Sequence, residues 1–164
     1  MLVRSATSAD LPAIKTIYDV QVRDGVATFD LEPPPLAYWE ARLGSTEPGD
    51  HVLVADEEGV VLGYAYSSAY RPRPAYRHTR ETSVYVDPAA LGRGLGRALY
   101  DELLARLRAD GMRTAVAVVA LPNPGSRGLH RACGFEPVGV LRDVGFKHDR
   151  WIDTEWWQLA LAER

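Results

Sequence analysis

Apolar residues recur at three- and four-residue steps in some stretches of the chain and gather in short β-branched runs in others, so helices and strands are predicted to interleave. Leu2 to Ser5 predicts a short strand. Thr7-Ser-Ala-Asp10 then has the spacing of a capping box with Asp in place of Glu. Leu11, Ile14, Tyr18 and Val22 form the apolar stripe of the helix that follows, and Pro12 is tolerated because it falls in the first turn. Gly25 and Pro33-Pro34-Pro35 interrupt it before a second short helix over Leu36 to Leu43. His51 to Ala55 and Val60 to Tyr66 predict two strands joined by a hairpin turn at Asp56-Glu-Glu-Gly59. The prolines between Tyr70 and Tyr76 predict a loop, and Thr82 to Val86 a strand stopped by Asp87-Pro88. Ala98, Leu99, Leu103, Leu104 and Leu107 mark a long amphipathic helix that Gly111 closes. Thr114 to Leu121 has the composition of a strand buried on both faces. A short helix from Ser126 to Cys133 and two strands, Val138 to Val144 and Asp153 to Leu161, complete an α/β fold expected to form one domain over residues 1–164.

Composition narrows the function. The chain has 164 residues, 46% of them hydrophobic and 25% charged, an ordinary globular balance. A net charge of −3 leaves no surplus to hold a phosphate backbone, so nucleic acid is not an expected partner. Seventeen of the 19 basic residues are Arg, a bias that acquires meaning only where individual arginines can be placed. Cys133 is the sole cysteine and the four histidines show no close helical pairing, so neither a disulfide nor a metal centre is expected. No apolar run approaches the roughly 20 residues needed to cross a bilayer, and no basic-then-apolar leader opens the chain. A cytoplasmic protein is the expectation.

The most informative segment is Ser83 to Leu99, a strand, a turn bearing Gly92, Gly94 and Gly96, then a helix. This order points free backbone N–H groups and the positive end of a helix at one spot, and Arg93 and Arg97 add charge suited to a diphosphate. From spacing alone the glycines serve equally to pack a helix tightly on a sheet. A Walker loop would need a Lys that is absent here. A dinucleotide fingerprint would need Gly where Arg97 stands, and an acidic residue after the next strand, where Leu121-Pro-Asn123 stands.

Gly94 and Gly96 instead match the last two defined positions of the loop [QR]-x-x-G-x-[GA], and in this the chain resembles the GCN5-related N-acetyltransferases, with Leu91 where Gln or Arg is usual. Ala27-Thr-Phe29, Arg73-Pro-Ala-Tyr76, Arg80 to Val86, Ala117 to Phe135 and Arg142 to Asp153 extend the resemblance to the phosphinothricin and methionine sulfoximine branch, over nearly the whole chain. The resemblance implies a mixed central sheet flanked by helices, acetyl-CoA as co-substrate without a metal, and direct transfer to the α-amino group of a small amino acid. It also implies a homodimer. Transfer to an amine requires a neutral amine, a place for developing negative charge and a proton for the departing thiolate. By resemblance Glu81 is the base, and His130 protonates the thiolate or shares the base role. Val84, Tyr85 and Val86 pair with the pantetheine amides, Leu91, Gly92, Arg93, Gly94, Leu95, Gly96 and Arg97 hold the diphosphate, and Asn123 and Ser126 face the same ligand besides capping their helix. Arg73 binds a substrate acid between Phe29 and Tyr76, and Lys147, with Phe146 and Trp151, helps line the cleft and a dimer contact. Cys133 reads as packing rather than as a nucleophile. Transfer to another small amine, peptide acetylation and a CoA-binding regulatory module without turnover are the competing readings.

Overall fold

The computed structural model describes residues 1–162. One mixed seven-stranded sheet runs in the order β1-β2-β3-β4-β5-β7-β6, built from β1 (Leu2–Ser5), β2 (Val52–Glu57), β3 (Val60–Ala69), β4 (Thr79–Val86), β5 (Thr114–Ala120), β6 (Glu136–Lys147) and β7 (Arg150–Ala160). Every pair is antiparallel except β4 with β5. Helices α1 (Leu11–Asp24) and α2 (Leu36–Leu43) cover one face, while α3 (Leu95–Ala109) and α4 (Pro124–Ala132) cover the other.

Strand alternation divides the core. Val52 and Val54 of β2 face α1 with Ile14, Ile17 and Trp39, whereas Leu53 and Ala55 turn to α3 with Leu99, Leu103 and Trp157. Each face therefore has its own apolar cluster, and the central strands are buried on both sides. At the entry to α1, Thr7 N–H donates to the Asp10 carboxylate at 2.7 Å, as the capping-box spacing predicts. Arg4 then ties Asp10 to Asp56 of β2, at 2.8 and 2.7 Å.

The elements expected from the sequence are present, with limits that differ. The final hairpin differs most: β6 begins at Glu136 and ends at Lys147, and β7 begins at Arg150. Pro137, Gly139 and Gly145 look like strand breakers in sequence, but β6 is an edge strand, where a missing N–H is tolerated and register shifts absorb the irregularity. His148 and Asp149 make the tight turn, both in the left-handed region. β4 starts at Thr79, three residues early, because Arg80 is buried against Asp50 and the Pro48 carbonyl rather than solvated. No helix among the described residues is long and apolar enough to cross a membrane.

Candidate active site

The site arises where two parallel strands part. β4 and β5 pair only from Thr79 to Glu81 against Thr114 to Val116. Beyond Glu81 they splay, and Thr82 Oγ1 donates to the Val116 carbonyl at 3.2 Å at the point of divergence. Residues 82–86 remain paired with β3 on one side and expose backbone amides to the gap on the other.

Three cavities run in series through this gap. The largest, about 550 Å³, lies against the glycine turn and the starts of α3 and α4, lined by Val84 to Val86, Leu91, Gly92, Gly94 to Arg97, Asn123 and Ser126. A throat of about 100 Å³ follows, walled by Thr82 to Tyr85, Val118 to Ala120, Tyr100 and His130. It opens through Ala27, Ser83, Tyr85, Val118 and Ala120 into a chamber of about 210 Å³ that contains Glu81, Thr28, Phe29 and Tyr66. Glu81 and His130 are thus brought to adjoining compartments from different elements.

At the large cavity, Gly92 and Gly94 sit at φ +77° and +79°, the left-handed region that favours glycine, and Gly94 opens α3. Gly96 serves another purpose: a Cβ there would stand 3.0 Å from Leu129 Cδ2, so its bareness lets α3 approach α4. The first helical hydrogen bond is Ala98 N–H to the Gly94 carbonyl, which leaves the N–H groups of residues 95–97 without helical acceptors beside the cavity. These donors suit a diphosphate. The arginine side chains are otherwise engaged. Arg93 donates to both Glu57 carboxylate oxygens at 2.8 Å, away from the cavity lining, and Arg97 bonds Asp101 at 2.7 Å and the Ala132 carbonyl at 2.6 Å. Asn123 caps α4 by accepting the Ser126 N–H at 3.0 Å.

In the throat, His130 is 3% exposed. Its Nδ1 lies 2.7 Å from the Ser126 carbonyl, which can only accept, so Nδ1 carries the proton and Nε2 accepts from the Tyr100 hydroxyl at 2.9 Å. Burial lowers its pKa, so the ring is neutral at neutral pH. Glu81 is displaced the opposite way: burial raises its carboxyl, against the weaker pull of Arg71 and Arg42. A carboxylate moved toward neutrality is a better base than a solvated one. Cys133, half-buried at the end of α4, is pushed up to about 11 by burial and is a poor nucleophile at neutral pH.

Phe29 reaches the chamber, but three other residues expected at the substrate do not. Arg73 and Tyr76 stand exposed on the loop before β4, outside all three cavities, with Tyr76 edge-on to Tyr70. Lys147 is buried and turned to backbone carbonyls. Tyr100, conversely, was not expected at the site. It lies beside the apolar stripe of α3, and the partner of its hydroxyl is 30 residues away.

A seven-stranded mixed sheet, a parallel pair that splays and a glycine turn at a helix start frame the site. The chain belongs to the acetyltransferase (GNAT) family, whose profile matches residues 14–135. It is 48% identical, over 154 residues spanning 93% of this chain and 78% of the relative, to a phosphinothricin N-acetyltransferase of Alcaligenes faecalis. To an L-methionine sulfoximine/L-methionine sulfone acetyltransferase of Pseudomonas aeruginosa it is 41% identical over 161 residues, 97% of this chain and 94% of the other. A crystal structure of a phosphinothricin acetyltransferase from Sinorhizobium meliloti in complex with AcCoA superposes with a TM-score of 0.94 at 46% identity, covering 99% of this chain and 89% of that one.

Proposed function

We propose that the protein transfers the acetyl group of acetyl-CoA to the α-amino group of a small amino acid of the phosphinothricin, methionine sulfoximine or methionine sulfone type. The observation that carries this reading is the cavity series itself: a groove of about 550 Å³ beside helix N–H donors, a narrow throat and a small chamber holding a half-buried carboxylate. Acetyl-CoA supplies an activated thioester carbonyl. The chain's residues supply the rest. The N–H groups of residues 95–97 and the exposed amides of residues 82–86 hold the cofactor's diphosphate and pantetheine amides. Glu81 takes the proton from the acceptor's ammonium, freeing the nitrogen lone pair to form the C–N bond as the C–S bond breaks. The departing sulfur is protonated from the Tyr100 hydroxyl, which His130 orients through Nε2, and the second proton that the nitrogen sheds as the amide forms restores the tyrosinate. No metal is needed for these steps.

A binding module would leave the Glu81 carboxylate and the Tyr100–His130 pair idle. Thiol release from acetyl-CoA, measured across a panel of amino acids with these three among them, is expected to show turnover concentrated on that group. Cofactor binding without turnover on any amine would overturn the reading. The same proposal includes a cytoplasmic setting and a homodimer. β6 is an edge strand of 12 residues whose Val138, Val140, Leu141, Val144 and Phe146 are exposed, and a second copy can cover such a strand about a twofold axis.

A further inference from the structure

Lys147 is 3% exposed, yet no carboxylate forms an ion pair with it among the described residues. Its Nζ donates instead to the Thr28 carbonyl at 2.8 Å and the Gln21 carbonyl at 3.3 Å. An ammonium is costly to bury, and charge-assisted bonds to carbonyls are what offset the cost here. Both carbonyls lie at or just beyond the end of α1. The neighbouring His148 reinforces the attachment, its Nε2 donating to the Gly25 carbonyl at 3.1 Å. Two residues before Lys147, Gly145 leaves room for the Phe29 ring, since a Cβ there would stand 2.4 Å from two ring carbons. From the α1 side, the Tyr18 hydroxyl meets Thr28 Oγ1 and Asp30 Oδ2, both at 2.6 Å. The segment fastened by these contacts, Ala27 to Phe29, is a wall of the chamber that holds Glu81.

We propose that Lys147 is a positioning residue that determines acceptor affinity: its ammonium seats the Ala27 to Phe29 segment against the end of β6 and thereby shapes the acceptor chamber, without touching the acceptor. The sequence resemblance assigns Lys147 to substrate contact, but the side chain points into the protein and lines none of the three cavities. Gly145 belongs to the same device, because only a bare α-carbon leaves space for the Phe29 ring against β6. The inference rests on the acetyl-transfer reading, and turnover by the unaltered enzyme tests that reading separately.

The experiment compares Lys147→Met and Gly145→Ala with the parent enzyme, using L-methionine sulfone and its α-amide, which keeps the amine and side chain but has no carboxylate. Lys147→Met is expected to raise the acceptor KM about tenfold, equally for acid and amide, while kcat and the acetyl-CoA KM move by less than about threefold. Gly145→Ala should raise the acceptor KM in the same way by displacing Phe29, and adding Phe29→Ala to it should remove the steric part of that effect. A Lys147→Met loss confined to the carboxylate-bearing acceptor would make Lys147 a substrate ligand and overturn the proposal. So would an unchanged acceptor KM, or a rise in the acetyl-CoA KM equal to that in the acceptor KM. If Lys147→Met does not fold, Gly145→Ala decides alone, and an unchanged acceptor KM in that variant refutes the proposal.

Discussion

Glu81 stands under two opposed demands. Burial raises its carboxyl, which suits a base but makes the ionised form costly in the folded chain. With the folded pKa above the unfolded value, its contribution to stability is present below the unfolded pKa and is lost as pH rises through the folded one. Glu81→Gln should therefore raise the melting temperature at neutral pH, with the gain shrinking toward about pH 4, where the parent carboxyl is itself largely protonated. The same variant should lose about 10²–10⁴ in kcat/KM, together with the acidic limb of the pH–rate profile. Calorimetry and kinetics on one preparation check both signs. His130 is singled out in the sequence only by the family resemblance, and its protonation state is not legible there. The Nδ1–H tautomer depends on the Ser126 carbonyl one turn back, and Nε2 on a tyrosine from another helix. Tyr100 was hidden for the same reason: in a helix with an apolar face, a tyrosine beside the stripe reads as core, and only the fold gives its hydroxyl a partner.

Among the elements, the glycine turn was the most readable, since its composition restricts the backbone conformations open to it. Its three glycines nevertheless divide between two causes, conformation at Gly92 and Gly94 and space at Gly96. Gly94→Ala should cost about 1–2 kcal/mol through a side chain forced into the left-handed region, read by urea denaturation, and should raise the acetyl-CoA KM more than the acceptor KM. The role expected of the arginines depended on geometry that spacing does not contain. Arg93 and Arg97 are drawn to Glu57, Asp101 and a helix-end carbonyl, so the proposed function gives the diphosphate to the backbone N–H groups. Strand limits failed where an element's position in the sheet overrides local preference. Pro137 and Gly139 are acceptable in β6 because it is an edge strand, and Arg80 belongs to β4 because its charge finds partners in the loop before β2.

At the scale of the molecule, function rests on the parting of β4 and β5, which turns a continuous sheet into a cleft with apolar clusters on both faces for support. The exposed β6 edge belongs to this scale too. Replacing Val138 and Val144, 65% and 50% exposed, together by Lys should leave the fold intact and convert the proposed dimer to monomers, with light scattering reporting half the parent mass. A monomeric parent would refute the assembly. The sequence by itself determined the order and kind of elements and the glycine turn, because periodicity and turn chemistry are local properties of a chain, while Glu81 and His130 are singled out only through the family resemblance. Tertiary structure alone decided that Tyr100 meets His130, that Lys147 turns inward to hold the Phe29 segment, and that Arg73 lies outside the chamber. Those outcomes depend on which distant groups compete for each buried donor or charge, and that competition exists only once the chain has packed.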